Sequence, residues 1–260
     1  MTATNRPAAP SFQTLTVDLD GRVGRLVLDQ PERLNPLGAT ALRELADAAA
    51  WFDGTDAVAV IVEGAGRAFS AGFDLREFAP AAPAADARSA RTTAVPALGA
   101  DMANAISSMR AVTVAAVHGP CLGGGLVLAL ACDIRIASDE AWFSLPEADL
   151  GIPLGWTGVP RMVREIGPAR TIELVLSCRR FDAHEALALG LCNRVVPHSE
   201  LHATALDLAR SIASKRREVV VTTKQQVRAA ADSLVPTTGR WDGTEELIRA
   251  LRTLRDDAGA

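Results

Sequence analysis

Lysine is nearly missing from this chain. Of 27 basic residues only Lys215 and Lys224 are lysines, and arginine supplies the rest. The skew reads as coding bias. The net charge of −4 argues against a dedicated nucleic-acid binder. It leaves room for an anionic ligand, which needs only a local basic patch. The four cysteines (Cys121, Cys132, Cys178 and Cys192) form no C-x-x-C pair, and each sits among apolar residues. That pattern predicts buried free thiols in a reducing compartment, hence a cytoplasmic protein. His184, His198 and His202 show no metal-ligand spacing, so no metal is expected. No apolar stretch nears the ~20 residues of a membrane span, and no membrane partner is expected. Residues 1–11 are Ala/Pro-rich and lack an apolar core, which fits a flexible tail better than a signal peptide.

What is present is the patterning of one large domain or two small ones, in a chain of 260 residues. Phe12–Leu19 and Val23–Leu28 read as strands joined at Asp20-Gly21, a hairpin signal. Gln30–Leu37 reads as a loop. Ala39–Phe52 carries Leu42, Leu45, Ala46 and Ala49 at helical spacing. Ala57–Val62 and Val112–Val117 read as buried strands. Ala79–Asp86 has no clean period and reads as a flexible loop, a lid beside a pocket. A helix is expected near Val95–Arg110, another over Gly123–Leu130, and a strand over Ile134–Ala137. Beyond Leu154 the pattern is helical: Arg161–Ile166, Ala169–Leu176, Ala183–Leu189, Glu200–Ala213, Glu218–Ala230 and Thr244–Leu254, with Gly, Pro or Asp breaks between. The sum is an α/β core with a helical annex.

Two glycine-rich segments stand out, Gly64–Leu75 and His118–Leu126. Each follows one of the buried strands. Glycine allows a tight turn and the close approach of a ligand to backbone N–H groups. Two such turns can aim two donors at one oxygen, the geometry that stabilises charge developing on a carbonyl.

The motifs containing these turns resemble the crotonase family, the enoyl-CoA hydratase/isomerase superfamily. The matching segments are Pro31–Leu37, Arg67–Leu75, Gly119–Gly125, Ala131–Ala137, Phe143–Glu147 and Ala186–Val196, in family order across most of residues 12–230. The resemblance implies a spiral of ββα turns followed by a C-terminal helical trimerisation region. It suggests a tail at 1–11, a spiral core at 12–200 binding acyl-CoA, and an oligomerisation region at 201–260. It implies a homo-oligomer, trimer or hexamer, and a substrate that is an acyl-CoA thioester, with coenzyme A as part of the substrate and no separate cofactor. It assigns the two oxyanion donors to the amides of Phe73 and Gly124. Gly124 falls in the first turn of the helix that begins at the glycine triplet, where amides lack intrahelical partners and the macrodipole is positive.

The resemblance also locates the carboxylates. Similar hydratases place one glutamate three residues after the oxyanion glycine, one helical turn on, and that position is Val127 here. Their second glutamate matches Glu147. A third acidic position, used by some dienoyl isomerases and dehalogenases, falls on Gly155. Glu147 therefore stands alone. An apolar pocket would raise its pKa toward neutrality and suit it to proton transfer. One base is enough to move a double bond from the 3- to the 2-position, whereas hydration divides well between two carboxylates. The expectation is a 3-enoyl to 2-enoyl-CoA isomerase. A one-glutamate hydratase and a non-catalytic acyl-CoA binder are the alternatives. Arg33, Leu34, Ala71, Asp74, Leu75 and Gly123 are the expected substrate contacts beside Val127 and Gly155. Arg33, Arg67 and Arg76 are candidates for the CoA phosphates. Phe73, Phe78, Trp142 and Trp156 are candidates for the pocket wall, and His118 is expected to be a turn residue.

Overall fold

The computed structural model describes residues 8–77, 85–237 and 243–257. The chain opens with the expected hairpin, β1 (Leu15–Asp20) and β2 (Val23–Leu28), paired antiparallel with Leu15 opposite Leu28. Gly21 turns it in the left-handed region at φ 58°. After α1 (Ala39–Asp53) come β3 (Ala59–Gly64), α2 (Ala85–Ser108), β4 (Val112–Val117), β5 (Pro120–Leu122), α3 (Gly124–Ala131), β6 (Ile134–Ser138) and β7 (Trp142–Ser144). Then follow α4 (Gly158–Ile166), α5 (Pro168–Ser177), β8 (Phe181–Asp182), α6 (Ala183–Leu189), β9 (Arg194–Val196), α7 (Leu201–Ala213), α8 (Arg217–Leu234) and α9 (Thr244–Asp257).

The larger sheet has the order β1-β2-β3-β4-β6-β9, parallel from β2 onward. Its central strands are buried on both faces, which is why they are nearly continuous apolar runs. Leu26, Val60 and Val62 face a core shared with Leu42, Leu45 and Phe52 of α1. Ala59, Ile61, Val114 and Ala116 face the other way, onto Leu201, Ala205 and Ala209 of α7. The small residues at four-residue spacing on α7 give it one flat face against the sheet.

The chain advances as a spiral of strand, strand, helix. β4 lies in the large sheet, β5 starts the small sheet β5-β7-β8, α3 returns, and β6 takes its place beside β4. β7 then pairs with β5 as β6 pairs with β4. Two earlier turns repeat this with single bridges in place of a second strand. Leu37 pairs with Phe73 between β2 and α1, and Ser70 pairs with Cys121 between β3 and α2. The two glycine-rich turns are thus neighbouring rungs of one ladder.

Most elements match the sequence expectation within a few residues. The exceptions are the two- and three-residue strands β5, β7, β8 and β9, which are too short to show a period. The helix expected from Val95 starts at Ala85, with Pro96 inside it. Of the loop expected at 79–86, residues 85 and 86 are helical and the others lie outside the described residues, as does Phe78. Among the described residues, no helix is long and apolar enough to cross a membrane. Cys121, Cys132 and Cys192 are buried free thiols as expected, while Cys178 is half-buried.

Candidate active site

The first glycine-rich turn is held by a bracket that begins at Leu34 and Asn35, both left-handed at φ 61° and 53°. The Asn35 side-chain Nδ2 donates to the carbonyls of Ala65 and Ala68, both at 2.9 Å. The Asn35 main-chain carbonyl accepts from Ser70 Oγ at 2.7 Å. Ser70 Oγ accepts in turn from the Gly72 amide at 3.1 Å. Leu37 N–H donates to the Gly72 carbonyl at 2.8 Å. Gly72 has φ 82°, a conformation that only glycine adopts cheaply. The turn that presents Phe73 therefore has little freedom to move.

The second turn locks onto the first. Leu122 N–H donates to the Ser70 carbonyl at 3.0 Å, and Gly123 N–H to the Ser144 carbonyl at 2.9 Å. A Cβ on Gly72 would lie 3.3 Å from the Gly124 amide nitrogen, so the two turns are in van der Waals contact. Gly124 is the first residue of α3, a helix buried along its whole length. Its amide belongs to the positive end of that helix.

Glu147 follows β7, and its carbonyl accepts from the amides of Leu150 and Ile152, each at 3.0 Å. Its side chain turns back to the second glycine turn, where a Cβ on Gly123 would overlap Oε1. Oε2 is buried and has no hydrogen-bond partner among the described residues. Burial pushes the carboxyl pKa up to about 7, with its own backbone amide acting weakly the other way. The surroundings are apolar. Val127 is fully buried one helical turn beyond Gly124. Trp156 lies edge-on to Phe73, with ring centroids 6.1 Å apart. Gly155 lies under Leu247 of α9. A protonatable group beside a helix N-terminus, with water largely excluded, is equipped for proton transfer next to a stabilised oxyanion.

Phe73, Gly123, Gly124, Trp156 and Glu147 thus lie together, with Val127 one helical turn along α3 and Gly155 next to Trp156 in the chain. The remaining expected contacts lie in the loops before α1 and after β3. Arg33 and Arg76 both pair with Asp74. Leu75 is exposed, as is Arg67. Trp142 departs from expectation. On β7 its neighbour Phe143 points into the core, so Trp142 faces outward, under the Arg180 guanidinium at 4.0 Å. His118 is more than a turn residue: it is buried, and its Nε2 lies 2.9 Å from the Gly66 carbonyl. Sequence reasoning missed Asn35, Ser70 and Leu247. For Asn35 a signal existed, since asparagine in a loop tolerates left-handed backbone better than most non-glycine residues.

Residues 19–244 match the enoyl-CoA hydratase/isomerase family. A probable enoyl-CoA hydratase of Mycobacterium bovis is 37% identical over 227 residues, covering 86% of this chain and 84% of that protein. A peroxisomal Δ(3,5)-Δ(2,4)-dienoyl-CoA isomerase of Arabidopsis thaliana is 33% identical over 225 residues, covering 82% and 81%. The crystal structure of an enoyl-CoA hydratase from Bacillus anthracis superposes with a TM-score of 0.78 at 29% identity, over 94% of this chain and 92% of that one. The chain belongs to the enoyl-CoA hydratase/isomerase family, the crotonase superfamily.

Proposed function

We propose that this family member is a 3-enoyl to 2-enoyl-CoA isomerase in which Glu147 is the sole proton carrier. The observation that carries this is a single buried carboxylate with an unpartnered oxygen, beside Gly123, where the other two positions open to an acid hold Val127 and Gly155. The thioester carbonyl accepts hydrogen bonds from the amides of Phe73 and Gly124. Ionised Glu147 takes a proton from C2. The C–H electron pair becomes the C1–C2 π bond of a dienolate, whose oxygen the two amides stabilise. Protonated Glu147 then returns the proton at C4, leaving the double bond between C2 and C3. A pKa of about 7 lets one group act as base and then as acid with little bias. Each oxyanion donor contributes about 3–4 kcal/mol to lowering the barrier.

Arg33 and Arg76, gathered by Asp74 beside the first turn, are the proposed anchors for the CoA phosphates. Val219, Val227 and Leu234 are exposed on α8 and spaced to share one face, which supports a homo-oligomer, a trimer or a pair of trimers.

The similarity to proteins named as hydratases favours a second reading, in which Glu147 alone activates a water for addition to a 2-enoyl thioester. Paired assays on the purified chain decide between the two. Conversion of a 3-enoyl-CoA is expected to exceed hydration of crotonyl-CoA, and Glu147→Gln is expected to abolish it. Faster hydration would overturn the isomerase in favour of the hydratase. Binding of acyl-CoA with no turnover of either would leave a binding protein.

A further inference from the structure

Trp156 is held in an unusual way. It and Thr157 are consecutive left-handed residues, at φ 58° and 62°. Bulky side chains rarely adopt that conformation, and such segments persist only where the surroundings enforce them. Here the enforcement comes from two glycines on different helices. A Cβ on Gly99 of α2 would overlap the indole at Cδ2, Cε2 and Nε1, and a Cβ on Gly124 of α3 would overlap it at Cζ3. The indole therefore fills a slot that exists because both helices lack a side chain there. It is 5% exposed.

One wall of that slot is the Cα of Gly124, the residue whose amide is a proposed oxyanion donor. Glu147 lies over the adjacent Gly123. The indole and the carboxylate thus flank the same point of α3, and the Phe73 ring meets the indole edge-on. Val127 and Leu154, against Gly158, are buried beside this point. A carbonyl held at the Gly124 amide therefore has Trp156 against the same residue and Glu147 against the one before it.

Resting on the acyl-CoA function proposed above, we propose that Trp156 sets the acyl size, making this an enzyme of short enoyl thioesters. The slot behind the indole is volume a longer chain would otherwise use. A rigid ring wedged between two helices resists displacement more than a flexible Leu or Met would.

The test is a ratio of specificities. But-3-enoyl-CoA and dec-3-enoyl-CoA are each assayed with the wild-type chain, Trp156→Ala and Trp156→Phe. The wild type is expected to favour the four-carbon substrate. Trp156→Ala is expected to raise the ten-to-four-carbon ratio of kcat/KM by about tenfold or more, chiefly through the long substrate's KM. Trp156→Phe is expected to fall between. Both substrates are run on one preparation, so any loss of folded protein cancels from the ratio, and Trp156→Phe keeps the slot occupied should the alanine variant fold poorly. A wild-type preference for the ten-carbon substrate, or a ratio unmoved in both variants, would overturn the proposal. Hydration of crotonyl-CoA without isomerisation would overturn the isomerase alone, and the chain-length comparison would then run on the 2-enoyl substrates. Failure of the wild type to bind or turn over any of these thioesters would remove the acyl-CoA function and this inference with it.

Discussion

Two regions of the molecule bury a glutamate and treat it in opposite ways. Glu44 projects from α1 beneath the N-terminal strand. Its Oε1 accepts from the Gln13 amide at 2.7 Å, and its Oε2 from the amide and hydroxyl of Thr14 at 2.9 and 2.5 Å. Three donors compensate the charge, so the carboxylate works as a clasp. Glu147 has an unpartnered Oε2 and a pKa pushed up to about 7. Burial by itself does not make a carboxyl reactive. What separates the two is whether the surroundings supply donors, and at Glu147 Oε2 the described residues supply none.

Glutamine at each position would draw the contrast out. The largest effect is on catalysis: Glu147→Gln is expected to lower kcat for 3-enoyl-CoA by about a thousandfold, the middle of the range for a lost general base. Wild-type kcat/KM is expected to rise with pH to a plateau, with an apparent pKa near 7, because the ionised form is the base. Next comes stability. Between the ordinary pKa of 4.5 and about 7, folded Glu147 keeps a proton that the unfolded chain has released. Its contribution to stability therefore falls as pH rises through that window and stays low above it. Glu147→Gln is expected to remove this slope and raise stability at pH 8 by up to about 3 kcal/mol, read from urea unfolding. Glu44→Gln is expected to move the other way, costing about 2 kcal/mol while kcat stays near wild type. A destabilising Glu147→Gln at pH 8 would break the comparison. The smallest effect is at the solvent-facing end: Arg33→Met is expected to raise KM severalfold, equivalent to under about 1 kcal/mol, with kcat unchanged.

Much of this was legible in the sequence. Asp20-Gly21 between two alternating runs gives the hairpin, and the apolar runs at β3 and β4 give a buried parallel sheet. The glycine segments give the turns, and the family motifs place Glu147, Phe73 and Gly124 together. Other features were not legible because they are relations between distant residues. Asn35 matters through the carbonyls of Ala65 and Ala68, a contact that no local pattern encodes. The slot for Trp156 needs Gly99 and Gly124 on separate helices. Ala/Pro-rich composition gives no amphipathic stripe to mark where α2 begins. β7 and β8 are held by their neighbours in the small sheet rather than by propensity.

Leu247 lies over Gly155, so a residue of the last helix covers ground beside a site otherwise built from the middle of the chain. During synthesis the glycine turns and Glu147 leave the ribosome well before α9 does. Until α9 docks, Gly155 lacks this cover. That flank of the site is thus completed late, and a nascent chain can carry every residue of the proposed chemistry before the last wall beside it is in place.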